Sequence, residues 1–355
     1  MALVTSVAFS PNGSLLATGT DRSYYFDADG TYQVAEEKGG TLTVANGETF
    51  ETIVTVNQPQ RINELAFSPG SNLLATASID GSARVFDARS GQERFRVNHE
   101  EAVQSVDFSP DGRFLLTAST DTTVRLSRVE DGSEVLRVTH TRTAVRAVFS
   151  PTGRYFASGS LDGGVRIVET ASGREVARIE HEGWIHDIEF SPNGRLIATT
   201  AGGESARVQN VGERGQLAEY VVGETVLDLE YSPDGRLLAI ADFGGTVRVL
   251  DSASFEDVQT FDRDAPIRDI AFSPDGTRLS AAGQDGFLRT FLVDGWDLLL
   301  EVDVGRPILS VAYRRDGRII AIGSREPAVM QEIEGDTGEI LTRLEFFDAH
   351  NEGVC

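Results

Sequence analysis

Cysteine occurs once in these 355 residues, at Cys355, the last position. A single cysteine excludes an internal disulfide framework and any metal site built from several thiolates. Lysine is equally scarce: Lys38 is the only one, so 31 of the 32 basic residues are arginine. Basic charge as a whole is in deficit, because 55 acidic residues leave a formal net charge of −23. A nucleic-acid binder neutralises phosphates with a basic face, so this balance disfavours such a partner and suits a basic one. No apolar run approaches the roughly 18 residues of a membrane span. The opening, MALVTSVAFSPNG, has neither a basic stretch nor a long apolar one and does not read as a secretory signal. With so little cysteine, this favours the cytoplasm. Helical periodicity is missing at any useful length. Catalytic signatures are missing too: there is no nucleophile elbow, zinc-protease helix, phosphate loop or cysteine–histidine pair. Asp27-Ala-Asp29-Gly30 begins like a calcium loop but lacks the later ligands. The reading assigns no catalytic residue, no metal ligand and no cofactor.

What the chain does contain is a fixed interval. Phe67, Phe108, Phe149, Phe190, Tyr231, Phe272 and Tyr313 follow one another at 41-residue spacing, with Phe9 ahead of them by 58. Most of these anchors lead into a turn such as SPNG at 10–13 or SPDG at 109–112; the second copy has SPGS at 68–71 and the last copy RRDG at 314–317. Such a period marks a repeat architecture. One copy, residues 99–139, shows how it folds. Val103–Phe108 alternates with period two and reads as a strand. In the Ser109–Gly112 turn, proline presets φ, aspartate bonds back to the main chain and glycine tolerates a positive φ. Phe114–Ser119, Val124–Ser127 and Glu134–Val138 are three further strands separated by turns. Four short antiparallel strands make a sheet that cannot cover both its faces alone. Radial stacking covers them and leaves only short edges. The sequence therefore predicts an all-β, eight-bladed propeller over residues 1–355. The 58-residue interval points to an insertion in blade 1, placed at 31–56, where Asn46-Gly47 between apolar alternations signals a hairpin.

The repeat resembles the WD-repeat propeller family over essentially the whole chain, through the run Val103–Asp121, a VRV/VRL/VRI third strand and SGxE-like turns. The resemblance implies a hydrogen-bonded structural set of His, Ser/Thr, Asp and Trp in each blade. His99, His140, His181 and His350 fill the His position; Ser78, Ser119 and Ser160 the Ser position; Asp80, Asp121, Asp162 and Asp285 the Asp position. The Trp is replaced throughout, by Phe86, Ser127, Val168, Gln209, Leu250 and Phe291. His186 is off this position. The family usually shares one blade between the two termini, whereas each blade here reads as contiguous. Closure would then rest on side-chain packing between blades 1 and 8. His350–Val354 has the spacing of His99–Val103, so either the chain was trimmed at a repeat boundary or its ends meet where the ring closes.

The resemblance also implies a protein- or peptide-binding scaffold, either a monomer or a module of a larger chain. The residues six and four before each anchor, with the loop between the second and third strands, should share one face. They vary from copy to copy, as a site reading an asymmetric partner requires. Candidate partner-binding residues are Trp184, His186, Arg268, Arg61, Asn63 and Gln104, joined by Phe243 and Gln284 from the loop. Trp and Arg are hot-spot residue types. Six arginines, Arg84, Arg125, Arg166, Arg207, Arg248 and Arg289, recur on the third strands and read as long stems laid over apolar neighbours or as an anion site. Asp107, Glu189 and Glu230, one before the anchor, face either the neighbouring sheet or the channel. Two other functions stay open: a sensor or regulatory module of a multidomain protein, and a propeller hydrolase with acids and histidines grouped at the channel mouth.

Overall fold

The computed structural model describes residues 3–21, 24–26, 32–34, 39–202, 205–211, 216–221, 223–314, 316–323 and 328–346. These form eight four-stranded antiparallel sheets and one two-stranded ribbon. Strands pair in chain order within each large sheet, the meander that tight turns allow. The eight first strands are Leu3–Phe9, Ile62–Phe67, Val103–Phe108, Ala144–Phe149, Ile185–Phe190, Val226–Tyr231, Ile267–Phe272 and Ile308–Tyr313. Each lies beside the next, so the sheets stand radially as blades round a channel. The eight-bladed propeller read from the sequence is the fold of the protein.

Burial follows position in the blade. In blade 3 the second strand, Phe114–Ser119, is buried at every residue but its first, while the fourth, Glu134–Thr139, is largely exposed. Second strands are pressed between sheets and keep small residues where the neighbour comes close. A Cβ on Gly159 of blade 4 would drive into Ile185 and Ile188 of blade 5. Seven apolar clusters fill the gaps from blades 1/2 round to blades 7/8. Anchors such as Phe108, Phe149, Phe190, Tyr231 and Phe272 sit inside them. The turn after each anchor closes as its residues dictate. Ser109 Oγ accepts the Phe114 N–H at 2.9 Å and donates to Asp111 Oδ1 at 2.6 Å, while Gly112 takes a φ of 70°.

The insertion is not where the sequence reading placed it. Gly40–Asn46, inside the expected 31–56 segment, and Thr52–Gln58, overlapping its end, are the third and fourth strands of blade 1 itself. The Asn46-Gly47 signal marks a genuine hairpin, but every blade turns there between its two outer strands. Asn46 Oδ1 accepts from the Glu48 and Thr49 N–H groups at 2.8 and 2.9 Å, and the left-handed residue is Phe50, with φ 57°. Gly47 is needed because a Cβ there would strike the Gly13 carbonyl. The extra residues fall between the second and third strands, where Tyr24–Phe26 pairs with Tyr32–Val34 as a separate ribbon. The Asp27–Gly30 turn, Lys38, His350 and Cys355 lie outside the described residues.

Candidate binding face and channel

All eight first strands share one irregularity. Pairing with the second strand slips by one residue at the fourth position before the anchor. The slipped residues are Thr5, Asn63, Gln104, Val145, His186, Leu227, Arg268 and Leu309. A β-bulge leaves its extra residue without a cross-strand partner and re-aims its side chain. Two residues earlier, in the six blades where both partners are described, the carbonyl accepts from the residue just after the second strand. Trp184 O accepts from Gly202 N–H at 2.6 Å, Thr225 O from Phe243 N–H at 2.8 Å and Pro266 O from Gln284 N–H at 2.9 Å; Arg61 pairs with Ile79 in the same way. This repeated bond sets the bulge residues and the loop residues on one face.

The eight candidate residues therefore share that face, but they are differently engaged. Trp184 is 54 % exposed and Phe243 50 %, too much for aromatics held by their own core. The Trp184 ring lies over Gly202, where any Cβ would collide with it. His186 and Arg268 are exposed; the Arg268 Nη2 lies 2.6 Å from the Gln284 side-chain oxygen, oriented to accept it. Desolvation lowers the His186 pKa, Asp187 opposing and the Arg268 charge adding to it. Asn63 is spent internally, donating Nδ2–H to Val103 O of the next blade at 2.8 Å. Thr5 makes the equivalent bond to Ile62 O. Arg61 and Gln104 are half-buried, and Gln104 lines the channel mouth beside Glu64 and Arg146.

Below the bulges the channel is carboxylate-lined. A cavity of about 460 Å³ is walled by Asp187, Glu189, Asp228, Glu230 and Asp269, with Arg146 the one basic residue among them. All of these carboxylates but Asp187, together with Glu64 and Asp107 further round the channel, are tied to the main chain of the following blade. Glu64 accepts from Val106 N–H (2.8 Å), Asp107 from Phe149 (2.8 Å), Glu189 from Tyr231 (3.0 Å), Asp228 from Ile270 (2.8 Å), Glu230 from Phe272 (2.6 Å) and Asp269 from Val311 (2.8 Å). The innermost strand of a blade is a sheet edge, and its channel-side N–H groups would otherwise lack protein acceptors. Asp107, Glu189 and Glu230 thus face both channel and neighbour, settling the two placements left open. The second acidic tier, Glu64, Asp187, Asp228 and Asp269, escaped the sequence reading, although the last three repeat at the same 41-residue spacing.

Burial pushes these carboxyl groups up. Asp107 rises to about 7 and Glu230 to about 8; Glu189 also rises well above the carboxylate range, with the Glu230 charge adding to burial. Asp228 and Asp269 hydrogen-bond each other, which requires a shared proton. Burial raises both, Asp228 well above its usual range. Arg146 Nη1 lies 2.8 Å from Glu64 Oε1, and its Nε lies 3.2 Å from Asp187 Oδ1. The wall can therefore hold protons near neutral pH. Among the described residues no group of three or more His, Cys, Asp or Glu is placed to hold a metal ion.

The histidines sit elsewhere, between the outer parts of the blades. His99 Nδ1 lies 2.9 Å from Asp121 Oδ2 and its Nε2 2.8 Å from Thr117 Oγ1. His140 and His181 meet Ser158 and Thr199 at 2.9 and 2.8 Å. The hydroxyl partner is therefore two residues ahead of the serine assigned from the resemblance. Ser119 instead donates to Ala102 O at 2.9 Å, and Ser160 to Arg142 O at 3.1 Å. In blade 2, Gln58 takes the histidine's place and donates to Thr76 Oγ1 at 3.0 Å. Burial, the Arg166 charge adding to it, lowers His140 to about 4; burial and Arg207 do the same to His181. The arginine series is likewise internal. Arg84 lies 2.6 Å from Asp80, Arg207 2.7 Å from Glu219, and Arg289 2.7 Å from Asp285 and 2.8 Å from Glu301. Each guanidinium is neutralised on its own blade, which argues against a convergent anion site.

Residues 2–26, 50–87, 92–126 and 133–169 match the family model of the WD domain, G-beta repeat. Blades 1 to 4 carry WD repeats. A second model, eukaryotic translation initiation factor eIF2A, matches residues 165–285 of this WD-repeat propeller. No curated protein matches the sequence. Among solved structures, the computationally designed Ika8 protein is similar, with a TM-score of 0.76 over 96 % of this chain and 95 % of its own. At 17 % identity that likeness concerns the fold alone. WD repeats generally mediate protein–protein interaction, and WD propellers are typically non-catalytic.

Proposed function

We propose that this WD-repeat propeller is a non-catalytic scaffold that holds a protein or peptide on the face carrying the eight bulges. The observation that carries the reading is the pair Trp184 and Phe243, which stand half-exposed on adjacent blades. Burying two such aromatics against a partner supplies the anchor that interface energetics require. Arg268 and His186 add polar contacts beside them. The acidic channel beneath and the net charge of −23 favour a partner that brings basic side chains to this face. The nearest competing reading is a propeller hydrolase, which would draw on the Asp228–Asp269 pair. Against it, both of those carboxyl groups already bond main-chain N–H groups. Affinity capture from cell extract, comparing wild type with a Trp184→Ala/Arg268→Ala double variant, tests the scaffold reading. Loss of the captured proteins with an unchanged melting temperature supports it; unchanged capture moves the site off this face.

A further inference from the structure

The channel-side bonds are unevenly distributed round the ring. Blades 1 to 4 are joined in series: Ser6 Oγ accepts from Leu65 N–H, Glu64 from Val106, and Ser105 and Asp107 from Ala147 and Phe149. Blades 5 to 8 are joined by Glu189, Asp228 with Glu230, and Asp269. Among the described residues, two junctions have no such bond. At 4/5 the equivalent side chains are Arg146 and Val148, neither of them an acceptor. At 8/1 they are Ala312 and Ser310, and the Ser310 hydroxyl is given to Asp269. In a ring of eight blades these two junctions are diametrically opposed.

Each is spanned instead by an arginine where other blades hold a different residue type. Arg146 reaches Glu64 of blade 2 and Asp187 of blade 5. Arg314 replaces the turn serine of the other seven blades. It is buried, donates Nη1–H to Gly47 O of blade 1 at 2.9 Å and to Glu332 at 2.6 Å, and lies 5.9 Å over the Phe9 ring. The first strands of blades 8 and 1 are also the one neighbouring pair not closely apposed along their length, among the described residues.

We propose that the ring is built as two four-blade arcs, locked at opposed junctions by Arg146 and Arg314, and that it breathes at those two junctions. The apolar cluster between blades 4 and 5 is complete, so opening there is confined to the channel wall. The strand that lifts is Ile185–Phe190, which carries His186 and Asp187 and follows directly on Trp184. Opening therefore changes the mouth of the channel beside the exposed aromatics.

Hydrogen exchange of the full chain, read residue by residue by mass spectrometry, tests this. The Val7, Phe9, Ile188 and Phe190 amides should exchange about tenfold faster than those of Val106, Phe149, Tyr231, Ile270 and Phe272, as the loss of a hydrogen bond implies. Arg146→Gln should speed Ile188 and Phe190 further without altering Val106. Val148→Glu supplies at 4/5 the carboxylate that Glu189 and Glu230 supply elsewhere and keeps Arg146 beside it, so it should slow Phe190. Equal protection at all eight junctions, or a Phe190 amide unmoved by Val148→Glu, would overturn the proposal.

Discussion

The Tyr313 hydroxyl lies 2.7 Å from Ser280 Oγ of the preceding blade, whereas Tyr231, two repeats earlier, meets Ala198 at the same position. The Tyr231 hydroxyl is buried without a hydrogen-bond partner. An unsatisfied buried hydroxyl costs about 1–3 kcal/mol. Ala198→Ser should supply the missing partner and raise stability by about 1 kcal/mol. Tyr231→Phe should gain a similar amount by removing the orphan group. Chemical denaturation of the two single variants and the double variant checks the pairing, because serine should bring no gain once the hydroxyl is gone.

The buried histidines set an acid limit on stability. His140 and His181 titrate near 4 in the fold, against about 6.5 when unfolded. Between those values the unfolded chain takes up protons that the folded chain refuses. Their contribution is complete above about pH 6.5 and disappears as pH falls towards 4. Gln58 shows that an amide can make the same bond in this fold. His140→Gln/His181→Gln should therefore lose less melting temperature than wild type between pH 7 and pH 5. Parallel melting curves across that range would refute the assignment.

Thr122 occupies a left-handed conformation with φ 73°, at the repeat position held by Gly81, Gly163, Gly245 and Gly286. A β-branched residue there is strained. Thr122→Gly should stabilise the protein by about 1 kcal/mol, measured by urea denaturation, offset only in part by the added freedom of the unfolded chain.

Gly202 acts as the bed for the Trp184 indole. Gly202→Ala places a methyl group where the ring lies, and the ring, already exposed, swings away instead of forcing the blade apart. Partner capture should fall as far as in Trp184→Ala, while unfolding free energy stays within about 0.5 kcal/mol of wild type. Capture at the wild-type level would mean that the indole's orientation is irrelevant to binding.

Blade number, strand order and the turn after each anchor were readable in the sequence because their chemistry is local and repeated eight times. Ser109, Asp111 and Gly112 make their turn whatever surrounds them. Features that depend on register were not readable. Thr117 and Ser119 share one face of a strand, so a period of two cannot tell which hydroxyl meets His99. The hairpin at Asn46-Gly47 is genuine but reads as an addition, because the extra residues ahead of it displace it from the repeat frame of the other blades. The bulges were invisible, since a slip of pairing belongs to two strands at once. Candidate residues four before the anchor were nevertheless reached, through their place at the entry to the innermost strand. The acidic tier of Asp187, Asp228 and Asp269 was missed because period-two alternation offers two inward positions per strand, and only the one beside the anchor was followed.

A bulge residue answers to no cross-strand neighbour. Its size and polarity are not matched against an opposing side chain, and exchanging it leaves every registered pair intact. Outside Thr5 and Asn63, which are tied to the next blade, each repeat thus carries one position that can change while its blade stays the same. A scaffold made by copying starts out symmetric and has nothing to distinguish one direction from another. Here the copies can diverge one at a time round the rim, so that a ring of near-identical blades acquires a heading and presents a different word to whatever approaches from each side.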